Sequence, residues 1–184
     1  IVGAVNAAAL QAGVPNEIKP YLSLAEKLGS LLAQVMKGQL KELTVELSGD
    51  LLHKHSELIK AGVLRGMFSK LVSDEPVNYI NAPVLAQTMG VRISEKKVTD
   101  AENYSNLLTI GYKTDTEQRS FAGTVFGGKH LKFVRLDKYF IEGNPDGTFL
   151  YYTNIDRPGM LAKVGTILAD ANINIAGLSL GRSG

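Results

Sequence analysis

Asn154, Asp156 and the peptide N–H groups of Gly159, Met160 and Leu161 fall within eight residues of one another. Their types are complementary. The first N–H groups of a helix have no partner inside it and carry partial positive charge, so they suit a carboxylate. Asp156 puts a carboxylate nearby for an ammonium group, and Asn154, on the same face of the preceding strand, adds an amide. A zwitterionic amino acid needs both. The plainer role of Asp156 is to cap the helix, which alone is worth ~1 kcal/mol.

A second group is basic. Lys129, His130, Lys132, Arg135 and Lys138 are crowded into ten residues, and guanidinium with ammonium suits a phosphate or a carboxylate. On a regular strand Lys132 and Arg135 point to opposite faces, because they are an odd number apart. The cluster therefore needs help from elsewhere, and Arg65 is the candidate. The expected anion site is Arg65, Lys132, Arg135 and Lys138. The alternative is a solvated, charged strand edge that discourages aggregation.

Other chemistry finds little support. Hydride transfer needs a glycine-rich strand-to-helix turn against which a pyrophosphate can lie, and the chain has no G-x-G-x-x-G. Gly127 and Gly128 lie between two strand-like segments and read as a turn. His53, His55 and His130 are the only histidines and lack the spacing of metal ligands. His53 and His55 fall in a polar loop before a helix and read as surface groups. With no cysteine there is no disulfide, thiolate metal site or cysteine nucleophile. No catalytic residue and no metal site are assigned.

These residues need elements to position them. Apolar Leu24, Leu28, Leu31, Leu32 and Val35 predict an amphipathic helix over 21–37. Leu43, Val45 and Leu47 alternate with polar residues as in a half-buried strand. A second helix is expected over 54–72, although Gly66 inside it costs about 1 kcal/mol; a close approach by another backbone or by a ligand would explain it. A short helix over 81–89 follows, then strands at 91–96, 106–113, 119–126 and 132–137. Asn144-Pro145-Asp146-Gly147 is a turn at the expected domain boundary. Strand 149–153 precedes a helix with Asp156 as its cap and Pro158 in its first turn. Leu161, Val164, Leu168 and Ala171 form its apolar face, Asn172 ends it, and a strand over 173–180 follows. The unit is strand, helix, strand.

Composition sets the outer limits. At 184 residues and 45% hydrophobic, the chain is long enough for one large or two small soluble domains. A net charge of +2 offers no general reason to expect nucleic acid or an anionic membrane. No apolar run reaches the ~18 residues of a membrane span. The first residues lack the basic start of a signal peptide and read as a chain entered in mid-protein.

The segment D-R-P-G-M-L at 156–161, its helix and I-N-I-A at 173–176 resemble the first half of an ACT domain. That is a ferredoxin-like (βαββαβ) regulatory module that binds amino acids between paired copies. V-N-A-A-A-L at 5–10, K-P-Y-L-S-L-A-E-K-L-G at 19–29, L-R-G-M-F-S at 64–69 and Y-I-N-A-P at 79–83 extend the likeness over nearly the whole chain. Together they resemble the C-terminal regulatory part of long-form D-3-phosphoglycerate dehydrogenases.

The resemblance implies a two-domain α+β fragment. Residues 1–19 would be a connector from catalytic domains, 20–142 a mixed α/β intervening domain with an antiparallel sheet, and 148–184 half of an ACT domain. It implies L-serine as effector at Asn154, Asp156, Gly159, Met160 and Leu161, with Asn174 reaching in from a neighbouring subunit. It further implies an anionic, phosphorylated or carboxylate ligand in the intervening domain, self-association, and a cytoplasmic location. The full-length enzyme would use NAD, whereas this stretch holds no cofactor and is non-catalytic. Two other readings stand beside it: the regulatory part of an L-serine dehydratase, and an oligomerisation module without a ligand.

Overall fold

The computed structural model describes residues 13–73, 76–155 and 157–181. Helix α1 (Lys19–Val35) starts with Pro20 in its first turn, where the missing N–H costs nothing. It buries Leu24, Leu28 and Leu32 completely. Strand β1 (Leu40–Ser48) follows, its Leu43, Val45 and Leu47 facing the same core and alternating with less buried residues.

The helix expected over 54–72 forms over 56–71, with a short helix before it that was not expected. Gly49, at φ 99°, turns the chain straight into α2 (Asp50–Lys54), and α3 (Ser56–Leu71) restarts after His55. The loop expected to carry His53 and His55 is therefore helical. His53 Nε2 lies 2.8 Å from the Leu47 carbonyl oxygen, and His55 Nε2 is buried without a hydrogen-bond partner.

The odd glycine of α3 has its explanation. A Cβ on Gly66 would collide with the Glu26 carbonyl of α1, and one on Gly62 would lie 2.7 Å from Leu22 Cδ1. The two helices touch backbone to backbone. Helix α4 (Asn81–Thr88) then leads to β2 (Arg92–Val98), β3 (Leu107–Thr114), β4 (Gln118–Phe126), β5 (His130–Leu136) and β6 (Tyr139–Gly143).

These strands form one sheet in the order β2-β1-β3-β4-β5-β6. The sheet expected to be antiparallel is mixed, because β2 runs parallel to β1 at one edge. The cause is the helical crossover α2–α3–α4, which carries the chain back to start in the same direction. Helices α1 and α3 pack on one face of the sheet, around a core that spans Val14 to Leu136. The other face carries hydroxyl, small and charged side chains, with loop residues Ala101 and Tyr104 over Leu107, Ala122 and Val134.

A break in register decides where the basic residues point. Ala122 sits opposite Arg135 while its neighbour Gly123 sits opposite Phe133, so Val134 is an extra residue, a β-bulge. Thr124 pairs with Lys132, two positions from Ala122. Lys132 and Arg135 thus share the face opposite the helices, against the expectation from simple alternation.

Beyond β6 the chain departs further from expectation. Neither 149–153 nor 173–180 is a strand; among the described residues neither segment has a ladder partner, and a strand exists only as one of a hydrogen-bonded pair. The helix between them does form, as α5 (Met160–Asp170). Its expected apolar face is not buried: α5 has no buried residue, Val164 and Leu168 are half-buried, and Leu161 is 46% exposed. Asn172 ends the helix as expected, at φ 56°, with the Ile173 N–H bonded to the Leu168 carbonyl at 2.8 Å.

Candidate functional site

At the start of α5 the cap position is taken by Gly159, at φ 84°. Asp156 lies outside the described residues, and the capping bond expected from its side chain lies outside them with it. Pro158 and Gly159 form a turn, and the left-handed glycine delays the helix to Met160. Lys163 N–H donates to the Gly159 carbonyl at 2.9 Å, and Met160 N–H points at the Arg157 carbonyl at 3.4 Å. Gly159 and Leu161 are exposed and Met160 half-buried. Asn154 is exposed, its Nδ2 donating to the Ile155 carbonyl at 3.1 Å. Asn174 is exposed beyond the far end of α5. The open helix start thus has Asn154 near it in the chain, while Asn174 lies past the opposite end.

The basic residues do not converge as expected. Arg65 belongs to the helix layer, where it pairs with Glu26 and lies over the Tyr79 ring at 5.1 Å. Lys132 and Arg135 lie on the opposite face of the sheet. Lys132 Nζ is 3.2 Å from Glu142 Oε1. Arg135 donates to Glu102 at 2.5 Å and stands 5.8 Å from the Phe140 ring. Lys138 is in the β5–β6 turn, over Tyr139. The sheet separates Arg65 from Lys132 and Arg135, so an anion cannot touch all four.

Gly127 and Gly128, at φ 56° and 72°, turn the β4–β5 hairpin. No helix follows them, so they do not fit a dinucleotide pyrophosphate. Among the described residues no group of three His, Asp or Glu side chains could hold a metal.

Two arrangements were not anticipated. One is a cleft of about 420 Å³ between α3, α4 and β2, lined in part by Tyr79, Pro83 and Ile93. At it, Lys60 Nζ lies 2.7 Å from Glu57 and 3.1 Å from Glu95. Burial acts to lower the Lys60 pKa, but the two carboxylates outweigh it and hold the ammonium above its usual range. The charge there is already matched.

The other is a polar chain at the β3–β4 end of the sheet. Buried Tyr112 donates its hydroxyl to Glu117 Oε1 at 2.5 Å, and the same oxygen accepts the Lys37 N–H at 2.8 Å. The bond from Tyr112 holds the Glu117 carboxyl below its usual range. Arg119 Nε donates to Asp137 Oδ2 at 2.7 Å, and its Nη2 donates to the Tyr151 hydroxyl at 3.1 Å. An arginine at an inward-facing strand position, opposite Tyr112, was the available signal.

A sheet domain joined by a short turn to a module that opens a helix start towards solvent is an α+β pair of regulatory type. Residues 17–137 match the family model described as the D-3-phosphoglycerate dehydrogenase intervening domain, and residues 149–184 match the ACT domain. The chain belongs to the D-3-phosphoglycerate dehydrogenase intervening-domain family, with an ACT domain match following. It is similar to the D-3-phosphoglycerate dehydrogenase of Archaeoglobus fulgidus, 33% identical over 98% of this chain and 34% of that protein. The Synechocystis enzyme of the same name is 32% identical over 97% and 32%, and that of Bacillus subtilis 29% over 99% and 34%. The chain therefore spans about a third of the length of these relatives.

Proposed function

We propose that this chain is the regulatory part of an NAD-dependent D-3-phosphoglycerate dehydrogenase of serine biosynthesis, working in the cytoplasm, and that L-serine is its effector. The observation that carries the reading is the glycine at the start of α5. Gly159 takes the cap position at φ 84° and has no side chain of its own to place over the first N–H groups, which leaves them able to receive a carboxylate. Leu161 and Gly159 border that approach, Met160 shapes its floor, and Asn154 and Asp156 supply polar groups for the ammonium end. Asn174, which lies beyond the far end of α5, joins the site only from a second copy of the module. The exposed apolar residues of α5 are what such pairing covers.

The second part of the reading is an anionic ligand, phosphate- or carboxylate-bearing, in the intervening domain. Lys132 and Arg135 share one face and Lys138 follows in the adjoining turn, whereas Arg65 drops out. Both cations already hold carboxylates, so an anion has to displace Glu142 and Glu102. Added salt weakens such binding.

The test belongs on the full-length protein. Asp156→Ala and Asn174→Ala should each relieve inhibition by L-serine and leave the uninhibited rate nearly unchanged. If both variants stay as serine-sensitive as the parent, the effector site is wrong.

A further inference from the structure

The helix layer does not cover the whole sheet. Helix α1 lies over β3, β4 and β5 and α3 over β1, while among the described residues no helix packs extensively on β6. The helix-side residues left at that end are Phe133, Tyr139 and Ile141, with Arg119 at the start of β4. Two segments of chain from the far side of the Asn144–Gly147 turn fill this strip.

The first runs into the C-terminal module. Asp146 pairs with Lys27 of α1. The Phe149 ring meets Phe133 edge-on, with centroids 5.8 Å apart. Tyr151 then lies over the Arg119 guanidinium at 5.2 Å and accepts its hydrogen bond at 3.1 Å. The second segment returns from the module after α5. Ser179 Oγ accepts the Glu142 N–H at 3.3 Å, and Gly181 packs so closely on β6 that a Cβ there would lie 2.7 Å from Ile141 Cγ2 and 2.8 Å from Tyr139 Cβ. The chain leaves this strip, makes α5, and comes back to it.

We propose that the helix-side strip of β4–β6, built from Arg119, Phe133, Tyr139 and Ile141, is the docking seat of the C-terminal module. Arg119 with Tyr151 is the contact that fixes the module's orientation. Arg119 is suited to this because it does not swing freely: Asp137 grips its Nε, and the other Asp137 oxygen accepts the Ser120 N–H at 2.8 Å. The guanidinium is thus a fixed platform, and a planar group that stacks and donates at once sets an orientation as well as a distance. A displacement of the module is felt at β4–β6 through this contact. The seat requires no effector and stands or falls apart from the serine site.

The experiment is amide hydrogen exchange on the 184-residue chain in the absence of serine. Tyr151 is an exposed residue, so its variants keep the core intact. Tyr151→Ala should speed exchange in β6, the ladder-bonded strand that the seat covers, by roughly tenfold, and Tyr151→Phe, which loses only the hydroxyl, by less. Exchange in β1 and β3 should not change. Arg119→Lys, which keeps the charge and loses the fork, should resemble Tyr151→Phe. Unaltered exchange in β6 in Tyr151→Ala overturns the proposal, and so does an acceleration spread equally through β1 and β3.

Discussion

One oxygen, Glu117 Oε1, takes two bonds where the β3–β4 loop meets the turn after α1. It accepts from Tyr112 and from the Lys37 peptide, so the loop after β3 is tied to the turn after α1. Tyr112 is 2% exposed; Tyr112→Phe removes one hydrogen bond at nearly constant shape and should lower stability by about 1 kcal/mol at neutral pH. Glu117 sets the pH window. Its folded-state pKa lies below the usual 4.5, so its contribution is present above pH 4.5 and lost as the pH falls through the lower folded value. Urea unfolding of Tyr112→Phe and parent should therefore differ most near neutrality and converge in acid. A gap that stays constant down to the acid limb would detach Glu117 from Tyr112. Little of this could be read beforehand. The segment 114–117 is four polar residues, and nothing local says that one of them reaches back to Lys37.

At the scale of elements, periodicity and composition located α1, α3, α4 and strands β1 to β5, though not β6, because burial leaves its mark in the sequence. It failed where a partner decides. Val134 offsets β5 by one residue, and a bulge leaves no mark in a run such as K-F-V-R-L. The segments 149–153 and 173–180 have strand composition without a strand beside them. Gly66 was legible as an anomaly, and its cause is the α1 backbone. Gly66→Ala should accordingly destabilise the protein although alanine is better in a helix by ~1 kcal/mol. The new Cβ would meet the Glu26 carbonyl, an overpacking that costs typically 1–3 kcal/mol. Thermal unfolding reads the sign directly. A higher midpoint for Gly66→Ala would mean that α1 and α3 are not in backbone contact.

For the molecule as a whole, the buried core and the proposed effector site lie in different parts. Among the described residues the hydrophobic core cluster runs as far as Leu136, and Ile141 is the last that packs against it. Past the turn at Asn144–Gly147 the surface is apolar and open: Ile167 is 58%, Leu178 57% and Leu180 65% exposed. Helix α5 has 11 residues and buries none, and a helix of that length is marginal in water without packing. Exposed apolar area on this scale marks a surface awaiting a partner, which in the proposed function is a second copy of the module. The separation was visible in the sequence as a change of pattern at the turn, but the emptiness around α5 was not, since Leu161, Val164 and Leu168 repeat as they do in a buried helix. It follows that a chain ended after Gly147 should keep its cooperative transition. The seat contacts at Phe149, Tyr151, Ser179 and Gly181 are lost, so the thermal midpoint should fall by a few degrees, about the 2–4 °C that 1 kcal/mol is worth in a domain of this size. Circular dichroism on the two chains compares the transitions. Loss of the cooperative transition on truncation would place part of the core beyond Gly147, and the division of labour between the two parts would be wrong.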